Sequence, residues 1–347
     1  MPGMARVVIV GGGVIGCAIA ERLSRDRHRV TLLERDSVAA HASGAAAGLL
    51  APQSEEGGDL GKRSLALFPD LVRRVEAASG IETEYREQES IAPALTADEE
   101  RSLKRLATAG TGRWLERSQA IVEEPALNPA VRGAAVFRES QVTPLRLARA
   151  LARAAAAAGA DIREGAPVAS IALRSGLVTG VHAPDGLVRA DLVVLAAGPW
   201  SAALASPLGI GLDVRPNRGQ LVTLWPRWRV LRRMLTWRGS YLVPKPDGTI
   251  VAGSTEEEAG FDARPTAEGV AGLLEFAGRA VPALRSASLE RAWAALRPAT
   301  PDGRPVIEAA QGPANLVIAT GHNRNGILLA PITAELVADI VAARSGL

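Results

Sequence analysis

The sequence predicts an α/β fold: a Rossmann-like domain with a parallel sheet, joined to an α+β domain built on an antiparallel sheet. Three observations predict it. Strand and helix patterns alternate at the N-terminus (6–33), short strands separated by turns fill the middle (217–253), and an apolar strand and helix close the chain (315–343). A length of 347 residues also suits two domains better than one.

The elements follow in chain order. Residues 6–10 (RVVIV) predict a buried strand, 14–25 a helix and 29–33 a second buried strand, which together form a β-α-β unit. The remaining helices are predicted at 62–79, 96–109, 144–158, 266–280 and 326–343, and the remaining strands at 134–138, 160–163, 166–173, 177–182, 192–196 and 315–319, beside the short strands of 217–253. The segment Lys245 to Gly248 (KPDG) predicts a hairpin turn.

Because the chain begins and ends in the same α/β layer, we expect both domains to be discontinuous. Residues 1–85, 141–215 and 297–347 would form the dinucleotide-binding domain. Residues 86–140 and 216–296 would form the substrate domain. The apolar C-terminal stretch contains Pro331, Glu335 and Asp339, so it predicts a packed amphipathic helix that is too short to span a membrane.

Composition excludes several classes. The net charge is +3 and the arginines are spread along the chain, which makes nucleic-acid binding an unfavoured interpretation. Cys17 is the only cysteine, so neither an intrachain disulfide nor a cysteine metal cluster can form, and we expect it to be a small buried residue. The four histidines lack metal-site spacing. We expect a cytoplasmic protein with no membrane anchor and no metal.

The first strand runs into a G-x-G-x-x-G motif with glycines at Gly11, Gly13 and Gly16. These positions permit a tight turn, close approach of backbone to a pyrophosphate, and packing of the helix on the strand. Glu34 ends the second strand, where an acid accepts hydrogen bonds from the adenosine ribose. The motif therefore predicts a dinucleotide site, although it does not distinguish FAD from NAD.

Further motifs favour FAD over NAD, because they resemble those of a known flavoprotein family. From Arg6 to about Ala342, the sequence resembles the D-amino acid oxidase superfamily of flavoproteins and, within it, the glycine oxidases of the thiamine pathway. The motifs are GGGVIG (11–16), LLER (32–35), ASGAAAGLLAP (42–52), AAGPWS (196–201), YLVPKPDGTIVAGST (241–255), LRPATPDGRPVI (296–307) and GHNRNGILLAPITAELVADIV (321–341).

The resemblance implies non-covalent FAD, a small amino acid or amine as substrate with glycine leading, molecular oxygen as the acceptor and a homo-oligomer. It also implies a role in supplying the glycine imine for thiamine thiazole synthesis. Its implied cofactor contacts are Gly11, Gly13, Val14, Ile15 and Gly16; Glu34 and Arg35; Ser43, Ala46, Ala47, Gly48 and Leu49; Val168, Ala197, Gly198 and Trp200; and Arg297, Gly321, Asn323, Arg324, Asn325, Gly326 and Ile327.

Two departures concern the flavin environment. Relatives often carry an aromatic residue after Gly-His, where this chain has Asn323. The histidine that tethers flavin covalently in some relatives is replaced here by alanine, and Cys17 lies in the phosphate turn. We therefore expect the flavin to be bound without a covalent link.

The resemblance assigns substrate binding to Tyr241, Arg297 and Arg324, and it assigns the substrate carboxylate to Arg297 and Tyr241. A guanidinium presents parallel donors that match a carboxylate, and a phenol adds a third. Hydride transfer from a neutral amine to flavin N5 needs no acid or base, so no catalytic side chain is predicted. Trp237 is predicted to be a core residue rather than a pocket wall.

Three alternatives stay open on the sequence. One is a sarcosine or D-amino acid dehydrogenase that passes electrons to a carrier. Another is a flavin enzyme that acts on a modified transfer RNA, which the basic composition allows. The third is a flavin-binding module without catalysis.

Overall fold

The structure is a computed structural model that describes residues 4–52, 58–110 and 112–344. Within these residues the strands are β1 (Arg6–Val10), β2 (Arg29–Leu33), β3 (Leu49–Leu50), β4 (Arg86–Ala94), β5 (Arg113–Glu116), β6 (Gly133–Gln141), β7 (Asp161–Arg163), β8 (Ser170–Arg174), β9 (Leu177–Ala183), β10 (Gly186–Arg189), β11 (Leu192–Leu195), β12 (Arg215–Trp225), β13 (Met234–Trp237), β14 (Ser240–Pro244), β15 (Ile250–Gly253), β16 (Ser288–Ala299), β17 (Val306–Ala309) and β18 (Leu316–Thr320).

The α-helices are α1 (Val14–Arg25), α2 (Ala42–Ala45), α3 (Gly58–Ser79), α4 (Ala97–Ala109), α5 (Arg117–Glu123), α6 (Pro144–Ala157), α7 (Ser201–Ala205), α8 (Ala267–Ala280) and α9 (Gly326–Arg344). Short 3-10 turns lie at Gly198–Trp200, Ser206–Leu208, Pro282–Ser286 and Asn323–Asn325.

The first sheet has the order β17-β18-β11-β1-β2-β7, and all its pairings are parallel except β17 with β18. Strand residues alternate between its two faces. Val7 and Ile9 pack against α1, α3, α6 and α9, whereas Val8 and Val10 pack against the small antiparallel sheet β10-β9-β8. The parallel sheet is thus covered on both faces, as its continuous apolar runs require.

The second sheet has nine strands in the order β16-β12-β15-β14-β13-β4-β6-β3, with β5 paired to β6. Its pairings are antiparallel except for β13 with β4. One face packs against α8 through Val222 and Leu242. The residues next to them in the chain, Leu221 and Val243, lie on the opposite face with Tyr241. This second face is the one that borders the site described below.

The predicted fold class is confirmed, and most predicted elements lie within a few residues of the observed ones. The KPDG segment makes the predicted hairpin turn between β14 and β15. The strand predicted at 166–173 begins only at Ser170, because 164–169 run irregularly along the small sheet. Trp237 lies in the core, as predicted. The domain boundaries stay a prediction.

The prediction for the C-terminal helix is wrong in two respects. The segment Asn323–Arg344 is long and apolar enough to cross a membrane, with a mean hydropathy of 1.8. The helix is also not amphipathic, because apolar residues lie all around it. Its first half is buried between α1, α3 and the first sheet, so it has no solvent-facing side that would need polar residues. Since 61% of its most apolar window is buried, we interpret α9 as a core helix.

Candidate cofactor and substrate site

A cavity of about 470 Å³ lies where the carboxyl ends of β1, β2 and β11 approach the second sheet. Parallel sheets commonly bind ligands at this edge. The predicted site residues that line the cavity are Gly11, Gly13, Val14, Ile15, Glu34, Arg35, Ser43, Ala46, Ala47, Gly48, Leu49, Val168, Ala197, Gly198, Trp200, Tyr241, Arg297, Asn323, Arg324, Gly326 and Ile327. The fold therefore gathers segments from the beginning, the middle and the end of the chain around one cavity.

Three predicted contacts do not line the cavity: Gly16, Gly321 and Asn325. Gly16 has the packing role that its motif position predicts, because a Cβ there would collide with the carbonyl of Gly11. A Cβ on Gly321 would press against Thr300. The Asn325 N–H donates to the carbonyl of His322 at 2.9 Å within the turn that precedes α9. These three residues therefore shape segments of the cavity wall without lining the cavity themselves.

The glycine turn leaves a helix end facing the cavity. Gly11 has φ +112°, and a side chain there would strike the carbonyl of Ala196, just after β11. α1 has no side-chain cap from Gly13 and no acidic residue in its first turn. Its first N–H, on Val14, donates to Ser43 Oγ at 2.9 Å. A helix start of this kind, with its positive dipole end, is a site for an anion such as pyrophosphate.

Glu34 is buried at the end of β2 with its carboxylate held by backbone. Oε2 accepts from the N–H of Gly12 at 2.6 Å and Oε1 accepts from the N–H of Asp36 at 2.9 Å. A carboxylate has about four acceptor positions, so these two bonds leave others for hydroxyl groups. This arrangement fits the role of a ribose acceptor that the motif predicts.

An aromatic and cationic cluster lies at the same end of the cavity. The Arg35 guanidinium stacks on the ring of Trp200, 3.8 Å from its centroid, and the His41 ring centroid lies 4.9 Å from that of Trp200. Phe261, from the loop after β15, also packs on Trp200, with 5.7 Å between the ring centroids. Flat groups of this kind form a wall for a planar ligand.

The same region brings together three groups whose ligand atoms lie within 4.8 Å of one another, namely Glu34, Asp36 and His41. The spacing of the histidines in the sequence did not predict this grouping. His41 Nε2 already contacts Asp36 Oδ2 at 2.7 Å, and the Arg35 guanidinium lies against both side chains. Because a fixed cation there opposes a metal ion, we interpret the group as a hydrogen-bonded cluster.

The opposite wall carries the predicted carboxylate clamp. Arg297 lies on β16, and its guanidinium donates to Asn217 Oδ1 at 3.1 Å, to the carbonyl of Thr255 at 3.0 Å and to Ser254 Oγ at 2.6 Å. A Cβ at Gly219, on the neighbouring strand β12, would overlap the guanidinium. These hydrogen bonds and the space above Gly219 therefore fix the position of the Arg297 side chain.

Tyr241 lies on β14 beside this clamp and lines the same cavity. It pairs across the sheet with Gly253, where a Cβ would press on the phenol ring at 2.9 Å. Leu221 and Val243 pack around it on the cavity face. Gly219 and Gly253 thus leave space for the side chains of Arg297 and Tyr241.

The start of α9 forms the remaining side. Arg324 donates to Glu256 Oε1 at 2.7 Å and to the carbonyl of Gly239 at 2.8 Å, so its guanidinium joins the helix start to the second sheet. His322 is buried against Thr333, and burial lowers the pKa of His322 to about 3, which keeps the ring neutral.

Asn323 differs from the other residues of this wall. Its Oδ1 atom is buried and has no hydrogen-bond partner within the described residues. A buried acceptor without a partner costs free energy, so its presence in a cavity wall indicates a donor from a bound group. Together with the start of α1 and the Glu34 carboxylate, this atom indicates that the residues present fit a flavin dinucleotide, which has N–H donors, hydroxyls and a pyrophosphate.

Sequence reasoning missed several cavity residues, notably His41, Gly219, Ser254 and Thr320. Thr320 Oγ1 donates to the carbonyl of Gly198 at 2.9 Å and so ties β18 to the turn after β11. Ser254 and Gly219 matter because they lie beside Arg297 in space. Only the register of β12, β15 and β16 reveals that proximity, and no local motif signals it.

The fold and the cavity are those of a flavin-dinucleotide oxidoreductase, and one wall of the cavity is cationic. Residues 6–340 match the family model described as "DAO: FAD dependent oxidoreductase". The chain therefore belongs to this family of FAD-dependent oxidoreductases, and it is an enzyme that uses FAD.

Individual relatives agree with that assignment. A glycine oxidase from Geobacillus kaustophilus is 37% identical over 96% of this chain and 92% of its own length. The crystal structure of glycine oxidase from that organism matches with a TM-score of 0.92 at 36% identity, covering 98% of this chain and 95% of the other. The bifunctional protein ThiO/ThiG from Trichormus variabilis is 37% identical over 96% of this chain, which spans 52% of that protein.

Proposed function

We propose that this enzyme oxidises glycine to the imine, which water hydrolyses to glyoxylate and ammonia, while oxygen is reduced to hydrogen peroxide. The observation that carries the proposal is the fixed guanidinium of Arg297 in the cavity wall opposite the glycine turn. A cation at that place fits the carboxylate of a small amino acid. Relatives named glycine oxidase, which this chain resembles over nearly their whole length, support glycine as the substrate.

Arg297 and Tyr241 would hold the substrate through its carboxylate and so fix the direction of the Cα–H bond. When bound, FAD supplies the chemistry by accepting a hydride from Cα and passing the electrons to oxygen. The start of α1, Glu34 and the small residues 46–48 would hold that cofactor. Asn323 would accept one of its N–H groups.

We also propose that the chain supplies no acid or base in the reaction. His322 is held neutral, since burial lowers its pKa to about 3, and it makes its hydrogen bond to Thr333. Glu34 lies at the end of β2 and accepts from backbone N–H groups. A neutral amine loses its hydride as the nitrogen lone pair forms the imine, so orientation and exclusion of water are the contributions of the protein.

We also propose that the imine feeds thiazole formation in thiamine synthesis, that the enzyme works in the cytoplasm, and that it is a homo-oligomer. The names of the ThiO/ThiG relatives support the pathway, although this chain spans about half their length.

A peroxide assay under air over glycine, sarcosine, D-alanine and L-alanine tests the proposal. We expect glycine to give the highest kcat/KM and stoichiometric peroxide. Reduction of the flavin by glycine without peroxide, but with turnover of an artificial electron acceptor, would indicate a dehydrogenase instead. No flavin reduction by any of the four amines would contradict the proposal, and salt-sensitive RNA binding would then favour a transfer RNA substrate.

A further inference from the structure

A second cavity, of about 160 Å³, lies outside the site described above. It is bordered by β4, by the turn between β14 and β15, and by the segment 229–232. Its lining includes the cations Arg86, Arg229, Arg232 and Lys245, and among the described lining residues there is no carboxylate. Positive charge concentrated around a small concave space favours an anionic ligand.

Among the described residues, no acidic side chain forms a hydrogen bond or ion pair with the guanidinium groups of this cavity's arginines. Arg86 and Arg229 take part in none of the side-chain hydrogen bonds or ion pairs found among the described residues. Within the described part of the chain, the Arg232 guanidinium donates to the carbonyls of Val122 at 3.5 Å and Glu123 at 3.3 Å, which are neutral. Its chain neighbour Arg233, which does not line the cavity, pairs with two carboxylates. Three arginines whose guanidinium groups have no carboxylate partner among the described residues therefore line the cavity.

Lys245 is the most enclosed of the four cations. Its ammonium donates to the carbonyl of Ala47, a residue that lines the cofactor cavity. Burial lowers the pKa of Lys245 to about 8, although the charges of Glu84 and Asp247 act in the opposite direction. Burying a cation against a neutral carbonyl costs free energy, which an anion in the cavity would offset.

Amide groups complete the wall and fix its shape. Gln88 Nε2 donates to Gln141 Oε1 at 2.6 Å, and Gln141 Nε2 donates to the carbonyl of Pro244 at 3.1 Å. A cavity of about 150 Å³ accommodates a molecule the size of benzene. The volume therefore admits phosphate or a small phosphate monoester, and it excludes a dinucleotide.

We propose that this cavity is a binding site for a small oxyanion of the phosphate class, held by Arg86, Arg229, Arg232 and Lys245. The ligand is either free phosphate or the phosphate group of a small monoester. The proposal does not depend on which amine the enzyme oxidises, because its residues lie outside the cavity that would hold FAD and substrate.

Isothermal titration of the FAD-saturated enzyme with inorganic phosphate, at constant ionic strength in chloride, tests the proposal. We expect saturable binding at one site. Arg86→Met and Arg229→Met, both at exposed positions, should each weaken binding by about tenfold. Arg153→Met on α6, also exposed, is the matched control and should leave binding unchanged.

Parallel titrations with glycerol phosphate identify the source of the oxyanion. Tighter binding of the monoester would assign the site to a phosphorylated metabolite, and tighter binding of phosphate would assign it to the free ion. The absence of saturable heat with both ligands would overturn the proposal. Equal weakening in Arg153→Met would also overturn it, since that result indicates nonspecific attraction to positive charge.

Discussion

The part of the FAD wall around α1 is made mainly of backbone, whereas the wall that would hold the substrate is made of long side chains. Around α1 the chain offers glycines, a helix start and backbone N–H groups. On the second sheet, Arg297 and Tyr241 lie over glycines of neighbouring strands. A backbone wall is encoded by a short local motif, whereas a side-chain wall depends on strand register.

If this contrast is correct, the largest effect should come from adding a side chain to the backbone wall. Gly11→Val should yield protein without FAD, because its φ of +112° and the carbonyl of Ala196 leave no room for a side chain. The ratio of flavin to protein absorbance measures this. Gly211→Val is the control, since a Cβ there meets nothing within 4 Å. Full FAD content in Gly11→Val would contradict the assignment of the backbone wall.

The second-largest effect is expected from a substitution in the wall that is made of side chains. Arg297→Ala should keep FAD and lose about a hundredfold in kcat/KM, which corresponds to about 2.7 kcal/mol. Steady-state kinetics with the best amine measure it. Arg291→Ala, at an exposed position on the same strand, should change kcat/KM little. An unchanged kcat/KM in Arg297→Ala would contradict the assignment of Arg297 to the substrate carboxylate.

Removing a single donor tests how far Tyr241 contributes to the same clamp. Tyr241→Phe keeps the ring over Gly253 and loses only the hydroxyl. We expect kcat/KM to fall by about tenfold, the cost of about one hydrogen bond to a charged group. Stopped-flow measurement of flavin reduction separates binding from the reductive step. A loss of FAD instead of a loss in kcat/KM would indicate a structural role for the phenol.

The smallest effect should come from a residue that acts through Arg297. Ser254 accepts from the guanidinium at 2.6 Å, so Ser254→Ala should raise KM by about threefold with little change in kcat. Ser254→Thr, which keeps the hydroxyl, should restore most of the affinity. Equal losses in the alanine and threonine variants would show that shape, rather than the hydrogen bond, matters at this position.

The same contrast explains what could be predicted from the sequence. The glycine turn, Glu34 and the surrounding strands follow from local patterns, and they lie where the patterns place them. Ser254 and Gly219 could not be predicted, because their proximity to Arg297 arises from pairings between distant strands. The burial of α9 could not be predicted from its own sequence, because it depends on α1 and α3, which cover the helix.

The central claim is that the backbone wall and the side-chain wall face one cavity. Titrating the FAD-bound enzyme anaerobically with glycolate, a short carboxylate that has no amine, tests it through the visible flavin spectrum. We predict a saturable spectral change in the wild-type enzyme that Arg297→Ala weakens strongly and Arg291→Ala does not. A preparation that binds no FAD, or a glycolate response that is identical in all three proteins, would contradict the account.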